Sequence, residues 1–199
     1  MSKLIAFSGG CHSGKTTSMG KLKKYLEKAG YSVVVLDELV RTATSTPIDE
    51  LRKDPSSYLE FQDVVIRAKM RQENAALEVG NEIVVLADRA ITDSLFYLQN
   101  YVDKSKLTDE EMILFCGLHN DIINHATKMF DTGYSIVLEF VPLHGVNNDP
   151  YRPKHIDFSK QYEYEAIHLL NKSFSDSVIT VDLNVSNFDD HIKNIIQSI

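Results

Sequence analysis

The sequence predicts a three-layer α/β domain with a five-stranded parallel sheet, and three observations carry that expectation. Short apolar or β-branched runs bounded by turn residues alternate with stretches of helical period along the whole chain. The first run, Leu4 to Phe7, passes through a glycine-rich turn directly into a helical segment. Charged residues, Asp37-Glu38 and Asp88-Arg89, follow the second and third runs, at the strand ends where an open α/β sheet gathers its ligand chemistry.

Each element has its own signal. Lys15 to Ala29 places Met19, Leu22, Tyr25, Leu26 and Ala29 on one helical face, and Gly30 closes it. Ser32 to Leu36 (SVVVL) reads as the second strand. Asp54-Pro55 supplies an N-cap with proline at the first helical position, and Phe61, Val65, Ala68, Ala75 and Leu77 carry the period on to Gly80. Glu82 to Ala87 is the third strand, and Thr92 to Asn100 a helix. Thr108 with Glu111 forms a capping box for a helix reaching about Phe130, before the fourth strand at Ser135 to Phe140. The Pro-, Asn- and Asp-rich stretch of roughly residues 142–158 reads as a flap, or lid. Ser159 to Phe174 follows as a helix and Ser177 to Leu183 as the fifth strand; Asn187 caps a last helix carrying Phe188, Ile192, Ile195 and Ile196.

At 199 residues and 43% hydrophobic content, the chain is long enough for one substantial core and short for two, so residues 1–199 are expected to form one domain. No stretch approaches the roughly 18 consecutive apolar residues of a membrane span, and Leu4 to Phe7 runs straight into the glycine-rich turn, so neither a membrane protein nor a signal peptide is expected. Cys11 and Cys116 have no metal-ligand spacing, which fits a reducing, cytoplasmic compartment and argues against structural zinc. A net charge of −7 disfavours a surface that tracks polymeric nucleic acid, although a local basic groove is compatible with it. Oligomeric state stays open, a homodimer included.

The turn itself reads Gly9-Gly10-Cys11-His12-Ser13-Gly14-Lys15-Thr16-Thr17 and contains the G-x-x-x-x-G-K-T phosphate-binding pattern between strand and helix. Successive backbone N–H groups of such a turn, with those of the following helix start, surround a phosphate. Lys15 would reach the outer phosphates and Thr16 would place its hydroxyl on Mg2+. Cys11 and His12, at variable positions, would line the loop. The expected ligands are therefore ATP and Mg2+.

Phosphoryl transfer asks mainly for positioning and charge neutralisation. Asp88, ending an apolar strand, suits Mg2+ directly or through water, and Arg89 could reach the transferred group or the acceptor. Asp37 or Glu38, of which one should face inward, could accept a proton from an acceptor hydroxyl. Arg152 and Lys154 on the flap could bring a cation to the transferring group as the flap closes. Phe61 and Gln62 could border the acceptor pocket, unless that face is simply core. His119, His125, His144, His155, His168 and His191 show no ligand spacing and are expected to be structural or surface residues.

With these residues in place, the chain resembles P-loop kinases of the nucleoside and nucleotide kinase group. It looks most like the ATPase/kinase domain, related to nicotinamide riboside kinase, of bifunctional bacterial NAD-biosynthesis regulators. GGCHSGKTT, DELVR (similar to that family's Glu-x-x-Arg) and ADRAITDSLFYL (similar to its Asp-Arg, then Asp-Ser/Thr and an aromatic) carry the resemblance in order. The resemblance implies that Glu38 lies near the acceptor, that Asp88 and Arg89 lie beside Mg2+ and the phosphates, and that Arg152 is a lid arginine. The acceptor side would comprise Arg41, Phe61, Gln62 and Asp93. A single Asp88, rather than an Asp-Glu pair, weakens the motor or AAA+ ATPase reading. The expected activity is transfer of the γ-phosphoryl group to a hydroxyl or phosphate of a nucleoside-like or nucleotide acceptor. A kinase acting on a modified base or end of DNA, and a nucleotide-dependent switch without a small acceptor, are the alternatives.

Overall fold

Five parallel strands lie side by side in the order β2-β3-β1-β4-β5, formed by β1 (Lys3–Ser8), β2 (Ser32–Leu36), β3 (Ile83–Asp88), β4 (Tyr134–Phe140) and β5 (Val178–Val181). The computed structural model describes residues 3–10, 13–36, 39–143, 157–176 and 178–198. Eight α-helices connect or follow the strands among these residues: α1 (Lys15–Lys28), α2 (Val40–Ala43), α3 (Ile48–Leu51), α4 (Pro55–Glu78), α5 (Ile91–Tyr101), α6 (Asp109–Lys128), α7 (Asp157–Phe174) and α8 (Phe188–Ser198).

Strand alternation builds the three layers. Ile5 and Phe7 of β1 face Met19, Leu22 and Leu26 of α1 and Phe188, Ile192 and Ile195 of α8. Leu4, on the other face of the same strand, packs with Ala76 of α4 and Met129. Covered on both sides, β1 and β3 lose the polar alternation of a half-exposed strand and read as continuous apolar runs. Beyond the sheet, α4, α5 and α6 bury Tyr58, Leu59, Ile66, Leu95, Leu98, Leu118 and Ile122 among themselves.

The capping signals hold. Asp54 accepts the Ser57 N–H at 3.2 Å with Pro55 in the first turn of α4. At α6 the box is reciprocal, Thr108 N–H donating to Glu111 Oε2 at 2.7 Å and Glu111 N–H to Thr108 Oγ1 at 3.3 Å. The structure departs from the sequence expectation at short elements and ends. α2, α3 and a 3-10 turn at Lys104–Lys106 span four, four and three residues, too few to display a period. β5 stops at Val181 because Asp182 Oδ1 takes the Asn184 N–H at 2.9 Å and turns the chain. α6 stops at Lys128 and widens into a π-turn at Met129–Gly133, where a Cβ on Gly133 would meet Met129 Cε at 2.6 Å. The proposed flap falls largely on 144–156, outside the described residues.

Leu22 is fully buried between β1 and α8. Leu22→Ala is expected to lower the unfolding free energy by about 2–5 kcal/mol, read as a shift of the urea midpoint at unchanged m-value.

Candidate active site

The glycine-rich loop leaves β1 at Ser8 and needs glycine where it starts. Gly9 has φ of 123°, and a Cβ there would lie 2.7 Å from the Phe140 carbonyl oxygen. Gly14, at φ 86°, is the residue before α1, and no side chain caps that helix start; its first turn carries no acidic residue. A helix start without a capping side chain or a first-turn carboxylate is the kind of arrangement that receives an anion. Lys15 is 6% exposed, and its Nζ donates to Gly9 O at 2.9 Å, Gly10 O at 2.5 Å and Ser13 Oγ at 3.1 Å. The ammonium therefore sits within the curve of the loop. Thr16 and Thr17 stand exposed on the first turn of α1, while Cys11 and His12 lie outside the described residues.

The sheet brings a second charged element alongside. Phe7 of β1 pairs with Asp88 at the end of β3, and the Arg89 N–H donates to Phe7 O at 3.0 Å. Arg89 adopts φ 70°, the left-handed region that costs a non-glycine residue about 1 kcal/mol or more. That conformation turns its guanidinium back over the loop, where Nη1 donates to Gly9 O at 3.2 Å, Asp93 Oδ2 at 3.4 Å and Tyr97 OH at 2.9 Å. Asp88 is 7% exposed, and its Oδ1 has no hydrogen-bond partner among the described residues.

Asp93, expected on the acceptor side, bonds to the start of the loop and to Arg89. It is fully buried, with Oδ1 accepting from Ser8 Oγ at 2.5 Å and Oδ2 from Gly9 N–H at 3.1 Å as well as from Arg89. Loss of water pushes its pKa up to about 6, against the opposing pull of Arg89, Ser8 and Lys15. Phe61 likewise packs with Tyr58, ring centroids 6.0 Å apart, in the α4–α6 core, and Gln62 is 4% exposed beside it. Both are core neighbours first, since their stretch of α4 is covered by α5 and α6. Arg41 falls on α2. Asp37, Glu38, Arg152 and Lys154 lie outside the described residues.

α7 adds a polar set behind the loop. Glu139, fully buried at the β4 end and paired in register with Ser8, receives His168 Nδ1 at 2.6 Å and Asn171 Nδ2 at 2.8 Å. Asn171 also donates to Ser8 Oγ at 2.9 Å, and Tyr97 OH donates to Glu163. Glu163 in turn abuts the loop, where a Cβ on Gly10 would meet its Cδ at 2.9 Å. Glu139 carried a sequence signal, a carboxylate ending an apolar run as Asp88 does. Glu163 and Asn171 carried none, because a polar residue on a helix looks the same in sequence whether it faces solvent or a buried network.

The donors suit Mg2+ rather than a softer ion. An orphaned, buried carboxylate oxygen on Asp88 and the Thr16 hydroxyl near the phosphate loop are hard oxygen ligands. No cluster of three or more His, Cys, Asp or Glu able to hold a metal occurs among the described residues. A cleft of about 670 Å³ opens beside the loop, lined by Gly14, Thr17, Lys21, Leu183, Val185 and Phe188 among others.

The buried carboxylate of Asp93 sets a pH dependence. Its folded pKa of about 6 lies above the ordinary 3.8, so its contribution to stability is full below about pH 4 and is lost as pH rises through about 6. Relative to Asp93→Asn, the native protein should lose roughly 3 kcal/mol of unfolding free energy across that interval, measured by denaturant titration of both proteins from pH 4 to 7.

Among curated proteins, the chain is 35% identical over 102 residues to a thymidylate kinase of Caldicellulosiruptor saccharolyticus, covering 48% of each chain. It is 36% identical over 105 residues to a thymidylate kinase of Pelobacter propionicus, covering 49% of this chain and 47% of that one. The chain thus spans about half the length of the curated relatives it matches. Its fold superposes on a crystal structure of NadR protein in complex with NR at a TM-score of 0.72 and 17% identity, covering 99% of this chain and 51% of that one. A structure of NadR protein in complex with NAD and AMP-PNP superposes at a TM-score of 0.64, also at 17% identity, covering 99% and 49%. These likenesses bear out the resemblance to nucleoside and nucleotide kinases read from the motifs. The single Asp88 had weakened an AAA+ reading, but over residues 4–181 the chain belongs to the AAA domain family.

Proposed function

We propose that the chain is an ATP- and Mg2+-dependent phosphotransferase acting on a nucleoside-like or nucleotide acceptor. The observation that carries the reading is the uncapped start of α1, with the Lys15 ammonium inside the loop and the Asp88–Arg89 turn one strand away. In this reading the loop N–H groups hold the outer phosphates, and Lys15 exchanges the Gly9 and Gly10 carbonyls for phosphate oxygens. Thr16 and Asp88 are the residues assigned to Mg2+, which when bound offsets the phosphate charge. Arg89, held against Gly9 O, lends a fixed cation beside the loop. The cleft next to Gly14 and Thr17 takes the nucleoside end of the triphosphate, its Leu183, Val185 and Phe188 meeting the base. Glu38 or Asp37 orients the acceptor hydroxyl, and Arg41 lies on the acceptor side. Arg152 or Lys154 supplies the flap cation and helps exclude water.

The half-length similarity to thymidylate kinases supports a nucleotide acceptor, and the likeness to NadR proteins supports the same fold with a nucleoside-type ligand. The test is ADP release in a panel of nucleosides, nucleoside monophosphates, nicotinamide riboside and short DNA. A response to one free nucleoside or monophosphate supports the proposal. Turnover with DNA alone, weakening steeply with salt, replaces it with a nucleic-acid kinase. ATP consumption no faster with any acceptor than with water replaces it with a switch.

Lys15→Ala should reduce turnover by about 10²–10³ or more while the melting transition stays cooperative. Retained turnover in a folded variant would remove the loop from the mechanism.

A further inference from the structure

A second buried charged cluster lies beneath the turn that carries Asp88 and Arg89, and nothing in the proposed mechanism uses it. Lys69 and Glu73 on α4 are 4% and 0% exposed, with Lys69 Nζ 3.3 Å from Glu73 Oε1. Glu73 also meets His125 Nε2 of α6 at 2.9 Å and accepts from Tyr134 OH of β4 at 2.6 Å. Two bonds leave this cluster for the turn. Lys69 Nζ donates to the Asp88 main-chain oxygen at 3.1 Å, and the Ile91 N–H donates to Tyr134 OH at 3.0 Å.

The turn has reason to need both holds. Asp88 is the last residue of β3, and the chain leaves the strand directly after it. Arg89, the next residue, sits at φ 70°, a conformation that persists only where its surroundings over-determine it. A buried ion cluster is a poor way to gain stability, because apolar residues of the same volume often do as well or better. It is a good way to fix a geometry, since each of its members points in one direction only.

We propose that Lys69, Glu73 and Tyr134 are positioning residues. One buried carboxylate, acting through an ammonium at one end and a phenol at the other, clamps the Asp88–Ile91 turn and so fixes how Asp88 and Arg89 face the phosphate loop. The catalytic meaning of the clamp rests on the proposed phosphotransferase reading; the clamp itself does not. Because both residues of α4 lie on the helix that also carries Phe61 and Gln62, the same helix joins the core at that end to the turn at this one.

Two variants test it, with amide hydrogen exchange and metal–nucleotide binding as readouts. Tyr134→Phe removes one hydroxyl and should speed exchange at the Ile91 amide tenfold or more. Lys69→Met with Glu73→Gln removes both charges together. It should keep metal-free ATP-analogue affinity within about threefold while the gain in affinity on adding Mn2+ falls by about 10- to 100-fold, the range for residues that orient a metal ligand. Lys69→Arg should recover part of that gain. Unchanged Ile91 exchange in Tyr134→Phe, or an unchanged Mn2+ effect in the folded double variant, overturns the proposal. If the double variant does not fold, Tyr134→Phe decides alone. If the unaltered protein shows no Mn2+ effect on analogue affinity, the phosphotransferase reading fails, while the Ile91 amide still decides the clamp.

Discussion

The pairing of β1 with β3, Phe7 opposite Asp88, is the constraint on which the rest of the site depends. It sets the glycine-rich loop, which starts two residues after Phe7, beside the turn that starts at Asp88. Parallel pairing makes this a matter of parity: a slip of one residue would exchange the two faces of the strand and send the Asp88 carboxylate to the opposite side of the sheet. The burial of both strands on both faces prevents that slip, since it would also drive Phe7 out of the α1–α8 layer. The core and the site are thus fixed by one register.

Charge buried at this junction is tolerated because it is shared. Asp93, alone in an apolar interior, would be several kcal/mol uphill as an anion. Here it divides its oxygens between a hydroxyl, a backbone N–H and a guanidinium, and still its proton affinity is raised. Glu139 is held similarly by His168 and Asn171. Such groups have fixed directions before any ligand arrives; in the proposed phosphotransferase this would leave little reorganisation for the moment of reaction.

The architecture was legible because it repeats local rules: apolar runs of strand length, helical periods, a proline after Asp54, a box at Thr108 and Glu111. The loop was legible because its glycines and lysine answer to backbone geometry and charge at fixed spacing. What the sequence did not disclose is side-chain direction over long separations. Asp93 follows Asp88 by five residues, but its partners Ser8 and Gly9 lie 85 and 84 residues away. Ser8 and Asn171 are 163 residues apart, and Tyr97 and Glu163 are 66. No periodicity links such pairs. Phe61 illustrates the converse, an aromatic on the right helix whose face is taken up by packing.

Arg89 stands in a backbone conformation suited to glycine while carrying the side chain that bridges Gly9, Asp93 and Tyr97. Relaxing the torsion and keeping the guanidinium are incompatible at this residue, because the only side chain free of the steric conflict is the one with no atoms to contribute. Thermal robustness and charge placement are therefore opposed at a single peptide unit, and sequence drift toward a more comfortable backbone there would empty the space above the loop of its cation.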